Sequence, residues 1–534
     1  MKKAVYAISI VLILVFFIGC GGVGDEDEQG GLVSDCSGAS FCSGYENRYT
    51  GGGIGVWSYK NNGASSIDLN ISLSNTTNRN ITAVFTNEGY SNIALPRISV
   101  DISLKKEIYG EGEEQSDTIK YTPLTIREVD LKKYIRQDDQ NQALQLQAPL
   151  YKTWSNSNQL WYVQPANMVE NRYASLRGQT TVSGRTINIW VEDSEYNSTK
   201  ISAARVSTIT SGVSTIYTHV TSIAGEPWGA YSSRYALISQ NQPLHIVLVN
   251  FDKNGRGGGT VGYFYGLNNV VGESGSNEAL AIFVDTETLY LGGENGTVQT
   301  LSTIAHELTH AINFYQRRIL MNDSFDTFLD ELSAVMMEDV IAKKISPTFN
   351  DVRMRYKEWL EKSLYDCDFT SWKKENEGED CKGNSINNYS VAGSLGAFLL
   401  RQYGISFYKK LFETRSDSSV SGDIAKSLNI LDKAIKSYDS GGLSHALRNW
   451  GAGIAMIPTS DAPQGFGYPY RNDSGFELEA FDGNDYKSSR SLPTSPPSIL
   501  AARAHFPFLR KPSSYTYAET FTIPRGVSVS VIVK

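Results

Sequence analysis

Hydrophobic positions change their period twice along the chain. Between residues 45 and 165 apolar and polar residues alternate in short runs. Ile67-Asp-Leu-Asn-Ile-Ser-Leu, Ile81-Thr-Ala-Val-Phe and Ile98-Ser-Val-Asp-Ile-Ser-Leu are punctuated by Gly, Asn and Ser clusters. A period of two places every second side chain on one face, so these runs predict half-buried strands of a small β-sandwich. A Gln-rich stretch, RQDDQNQALQLQ, follows as a linker. From about Ala166 the strands become more apolar. Thr186-Ile-Asn-Ile-Trp-Val, Val261-Gly-Tyr-Phe-Tyr-Gly and Ala279-Leu-Ala-Ile-Phe-Val-Asp predict strands. Leu244-His-Ile-Val-Leu-Val-Asn reads as one buried on both faces.

The period then becomes helical. Ile304, Leu308, Ala311, Ile312 and Tyr315 recur at helix spacing, with Thr300 or Ser302 able to cap the start and Arg317 and Arg318 suited to the last turn. Leu329, Leu332, Val335, Met336 and Val340 mark a second helix. A turn around Asn322-Asp323-Ser324 lets it fold back antiparallel on the first. Further helices are predicted over 349–362, 388–404, 406–413, 423–438 and 443–457. From Pro458 the chain is rich in Pro, Gly and Ser, and alternation returns at Phe521-Thr-Ile-Pro and Val527-Ser-Val-Ser-Val-Ile-Val. The expected class is α+β. A β-sandwich over 51–165, resembling bacterial immunoglobulin-like modules, precedes a mixed sheet with a helical part over 166–457. A small β-rich module over 458–534 ends the chain. The first module reads as a spacer, with an adhesion module or a propeptide as alternatives.

The first of the paired helices carries His306-Glu307-Leu308-Thr309-His310. Residues four apart share a helix face, so two imidazoles are offered to one metal ion, usually zinc, with Glu307 beside them. The chain has six histidines. At that composition a chance H-E-x-x-H is expected in well under about one chain in a hundred. Zinc in a catalytic site takes three protein ligands and keeps one position open. Glu331, about twenty residues on, can face the histidine pair from the second helix, with Asp330 as the competitor. Glu338, two turns further, can orient a ligating histidine.

HELTHA followed by a helix-borne glutamate resembles the gluzincin metallopeptidases, and Glu331-Leu-Ser-Ala-Val-Met-Met-Glu-Asp resembles the hyicolysin-type M30 family most. The resemblance implies a zincin-like fold, one Zn2+ per chain on His306, His310 and Glu331, and hydrolysis of peptide bonds with Glu307 as general base and acid. Gluzincin aminopeptidases use a tyrosine near the start of a later helix to stabilise the oxyanion, a role that falls on Tyr389. Thermolysin-like enzymes carry an acidic residue four positions after the third ligand, where this chain has Val335. Thermolysin-like enzymes also use a late histidine; His445 is the candidate, with a solvated helix face as the alternative. His245 and His505 read as core residues.

Composition places this chemistry outside the cell. Lys2 and Lys3, then Ala4 to Ile18, form a signal segment over 1–19. Phe17-Ile18-Gly19-Cys20 resembles a bacterial lipobox, which implies a lipid on Cys20, a flexible tether to about residue 50, and an envelope address, outer membrane or cell surface. Cys36, Cys42, Cys367 and Cys381 form two sequence-local pairs, so disulfides 36–42 and 367–381 are expected in an oxidising compartment, other pairings remaining open. The net charge of −8, without a basic run, argues against nucleic acid. Expected partners are protein or peptide substrates, host extracellular proteins among them. Asp252-Lys-Asn-Gly lacks the spaced carboxylates of a calcium loop. Two rivals remain: a non-catalytic adhesin on a peptidase scaffold, and an envelope protein in which zinc only staples two helices.

Overall fold

The computed structural model describes residues 31–36, 42–100, 154, 157–164, 169–232, 235–372, 380–456, 462–481 and 490–534. The signal segment, Cys20, the acidic tether and the Gln-rich stretch lie outside the described residues. So does residue 101–104 of the predicted strand at 98–104, and its described part, 98–100, has no regular structure.

The amino-terminal alternation forms three main strands, β1 (Gly55–Lys60), β2 (Ile67–Ser74) and β3 (Ile81–Asn87). A second sheet follows from β4 (Gln159–Val163), β5 (Glu170–Val182), β6 (Arg185–Glu192), β7 (Leu244–Val249), β8 (Gly262–Phe264) and β9 (Leu280–Asp285). Its order is β8-β9-β7-β6-β5-β4. β6, β7 and β9 run parallel; β8 joins β9 antiparallel and ends the sheet. Parallel strands need cover on both faces. Ile189, Ile246, Leu248 and Ile282 face the helices, while Trp190, Val247 and Phe283 face a cluster with Trp154, Trp161 and Tyr263. His245 is buried in that cluster and accepts a hydrogen bond from Trp190 Nε1 at 2.8 Å.

The crossover from β6 to β7 contains helix α1 (Ala203–Ala224), which the periodicity reading missed. Its Ser, Thr, Val and Ile content favours strands. Yet Val206, Ile209, Val213, Ile216, Val220 and Ile223 recur every three or four residues and are buried against the sheet and neighbouring helices. Thr210, Thr218 and Thr221 return their hydroxyls to carbonyls four residues back, keeping those groups satisfied.

After the short α2 (Thr286–Leu291) comes α3 (Gly293–Asn313), which bears the H-E-x-x-H residues. It starts well before Thr300 and Ser302, so neither caps it. A π-helical segment, Phe314–Met321, continues it. There Arg317 is fully buried: it pairs with Asp323 at 2.7 Å and donates to the carbonyls of Phe412 and Thr414. Asn322 adopts φ 53°, the left-handed stop that turns the chain, and Asp326 caps α4 (Thr327–Ile345). α5 (Asp351–Glu361) and α6 (Ser385–Glu413) follow. The two helices expected either side of Gly404 are one element kinked there at φ 80°. α7 (Asp423–Lys436) and α8 (Gly442–Gly453) complete the helical part.

The last strands are β10 (His505–Arg510), β11 (Thr516–Ile523) and β12 (Val527–Val533). They do not make a separate module. β12 lies between β1 and β3, antiparallel to both, and β10 pairs with the other side of β3. β11 pairs with β2 in a second sheet. Both sheets share one core of Trp57, Ile71, Phe85, Phe508, Phe521 and Val531, where the Phe85 ring lies 6.0 Å from that of Phe508 and 5.6 Å from that of Phe521. The boundaries expected at 51–165 and 458–534 therefore divide one terminal β unit. Alternation tells which side chains face a core but not which strands share it. The helical part carries this unit through Lys60–Glu88–Arg448 ion pairs, an Arg503–Asp368 pair, and apolar contacts of Ile54, Val84 and Ile532 with Ala452, Met456 and Phe466. Disulfides join Cys36 to Cys42 and Cys367 to Cys381.

Candidate metal centre

α3 packs beside α4, and both present polar residues at one buried point. His306, His310 and Glu331 are each under 3 % exposed. One ligand atom from each lies within 4.8 Å of the others. Glu331 Oε2 stands 3.1 Å from His306 Nε2 and 3.7 Å from His310 Nε2. Donors about 2.0–2.2 Å from a tetrahedral zinc sit roughly 3.3 Å apart, so these spacings suit one ion.

The outer nitrogens are fixed by carboxylates. Glu338 Oε1 accepts from His306 Nδ1 at 2.6 Å, and Asp330 Oδ1 from His310 Nδ1 at 3.0 Å. A carboxylate only accepts, so each Nδ1 carries the hydrogen and each Nε2 is turned to Glu331. Two imidazole lone pairs against a carboxylate repel unless a cation lies between them. Without a metal, that cation is a proton. Burial alone would push the His306 imidazole down, but hydrogen bonds to Glu331 and Glu338 and the charges of Glu338 and Glu307 lift it to about 10. His310 is raised in the same sense against its burial, by Asp330 and Glu331. His310 Nε2 and Glu307 Oε1 are buried and have no hydrogen-bond partner among the described residues. The donor set, its spacing and these two orphaned atoms fit a divalent cation.

Glu307 is held differently. The Phe264 N–H of edge strand β8 donates to its Oε2 at 2.8 Å, leaving Oε1 open. Burial lifts its carboxyl to about 7. Gly262 on the same strand leaves room for it, since a Cβ there would stand 2.5 Å from Thr303 Cγ2 and 3.4 Å from Glu307 Cγ.

Tyr389, in the second turn of α6, reaches the same point. Its ring lies 6.2 Å from that of His306, and its hydroxyl hydrogen-bonds Glu331. Burial, then the charges of Glu331 and Glu307, hold that hydroxyl protonated far above its usual range. The turn before it is tied to the 367–381 disulfide loop: Asn388 Oδ1 accepts from Cys381 N at 2.7 Å, and Trp372 of the loop stacks edge-on against Tyr389 at 4.9 Å. His445 joins a different group, bonding Asp439 at 2.7 Å and Asn449 at 3.3 Å. His505 is buried beside Trp450. Asp330, weighed as a rival ligand, is instead the partner of His310, steadied by Asn313. The reading of the sequence missed that role, although adjacency to Glu331 was a usable signal.

The family model for Peptidase M30 matches residues 169–534. The chain belongs to the peptidase M30 family. A second model, a domain of unknown function, matches residues 34–100, the part whose strands interleave with the end of the M30 region. No curated protein matches the chain. A solved aminopeptidase N family protein from Idiomarina loihiensis is similar at 16 % identity and a TM-score of 0.31, over 49 % of this chain and 44 % of that one. This M30 peptidase thus spans less than half the length of that relative.

Proposed function

We propose that the chain is a zinc-dependent endopeptidase of zincin-like architecture, with His306, His310 and Glu331 as metal ligands and Glu307 as general base and acid. The observation that carries it is the convergence of three buried donors on one point beside a carboxylate with one unpartnered oxygen. A bound zinc ion supplies a Lewis acid for the scissile carbonyl and lowers the pKa of water. Glu307 takes the proton of the attacking water on Oε1 and passes it to the departing amine. Tyr389, protonated, donates to the oxyanion. Edge strand β8 offers its outer backbone to an extended peptide, which sets the scissile bond beside Glu307. The signal segment and the lipobox-like Cys20 support an address at the bacterial envelope, lipid-anchored, with protein or peptide substrates. Cleavage of a quenched peptide library is the test, with and without a chelator. Glu307→Gln should keep the metal and lose turnover; turnover at the wild-type rate would refute the mechanism.

A further inference from the structure

α5 carries none of the residues expected to do chemistry, yet Arg355 on it reaches two of the groups that do. Its Nη2 lies 3.4 Å from both oxygens of Glu338, the carboxylate that holds His306 Nδ1 at 2.6 Å. Its guanidinium lies over the Tyr389 ring, 5.2 Å from the centroid. α6 is shaped for this. Gly393, one turn after Tyr389, faces the stem of Arg355, and a Cβ there would meet Arg355 Cβ at 2.9 Å and Cδ at 3.1 Å. The arginine is thus clamped between α4 and α6, its side chain only 13 % exposed.

Charge explains why a cation belongs here. Glu338, Glu331 and Glu307 crowd one buried volume, with Asp330 at its edge. Glu338 accepts most strongly from His306 as a carboxylate, and a buried carboxylate is costly unless paired. A planar guanidinium can pair with the carboxylate at its edge and lie on an aromatic ring with its face, which an ammonium does less well.

We propose that Arg355 is a positioning residue of the metal centre: it locks Glu338 onto His306 and the Tyr389 ring beside Glu331, so that ligand and oxyanion donor keep a common register. This rests on the peptidase reading for its catalytic half only. Removal of the charge should loosen His306 and so weaken the metal by about tenfold to a hundredfold.

The test is zinc affinity of the full chain by chelator competition, with kcat and KM on a quenched peptide and a melting curve for each protein. Arg355→Met should lose affinity as stated and lose kcat with KM nearly unchanged. Millimolar guanidinium should restore part of kcat to Arg355→Ala. Gly393→Ala, which keeps the charge and only pushes its stem, should show the same losses more weakly, and stands in if Arg355→Met does not fold. Wild-type zinc affinity and kcat in folded Arg355→Met or Gly393→Ala would overturn the proposal. Zinc loss in a protein whose wild type cleaves no peptide would support the positioning role and sink the peptidase reading instead.

Discussion

The metal centre and the terminal β unit are built on opposite plans. At the centre, His306 meets Glu331 25 residues away and Glu338 32 away. In the β unit, Asn61 bonds the Ile523 carbonyl across 462 residues, and β12 fills a gap between strands from the other end of the chain. The first plan concentrates chemistry on two adjacent helices whose facing is set by one turn. The second makes a platform that cannot close until β12 exists. The strands of 55–60 and 81–87 flank β12 on both sides, so losing 55–87 would strip β12 of both neighbours and open the shared core.

The sharpest way to break this contrast is to alter the centre without touching the platform. Glu307→Gln should lower kcat by roughly 10²–10⁴-fold without destabilising the protein. A parallel loss of stability would show that the two regions are not separable. The converse change is Phe85→Ala, which empties the contact between both terminal sheets. It should cost about 3–5 kcal/mol in chemical denaturation while kcat of the folded fraction persists.

A smaller effect is expected at the 367–381 disulfide. Replacing Cys367 and Cys381 together by Ser should cost about 2–4 kcal/mol. It should also reduce kcat, since the loop anchors Asn388 and stacks Trp372 on Tyr389; unchanged kcat would remove the loop from the site's support.

The subtlest difference is in pH. In metal-free protein, His306 keeps its proton to about 10 where the unfolded value is 6.5. Its stabilisation is complete below 6.5 and is lost as pH rises through 10. Glu307, lifted from 4.5 to about 7, acts in the same direction, its share being lost as pH rises through 7. His505 in β10 has the opposite sign. Burial drops it from 6.5 to about 3, so its stabilisation is present above 6.5 and lost as pH falls towards 3. Chelator-treated protein should therefore melt earlier at both ends of the range. His505→Gln should blunt only the acid limb, and an acid limb of full size in that variant would contradict the assignment.

Legibility follows the same divide. The strands 67–73, 81–87, 244–249 and 280–285 and the helices from α3 onward stand close to where periodicity puts them. The cap at Thr300 or Ser302 fails because the helix starts earlier, at Gly293, behind Gly292, where a Cβ would meet the Thr288 carbonyl at 2.6 Å. In α1 the β-branched residues favour a strand, while the need to carry the chain from β6 to a parallel β7 decides for a helix.

The order of residues alone determined the donors: which imidazoles share a helix face, which carboxylates follow on the next helix, and which cysteines lie within loop reach. These are short-range matters of helix period and chain length. Tertiary structure alone decided that Asp330 serves His310, that Arg355 joins Glu338 to Tyr389, that β8 is the edge beside Glu307, and that the two chain ends share one core. Each of those depends on which buried faces meet, and burial is a property of the packed whole that no local pattern specifies.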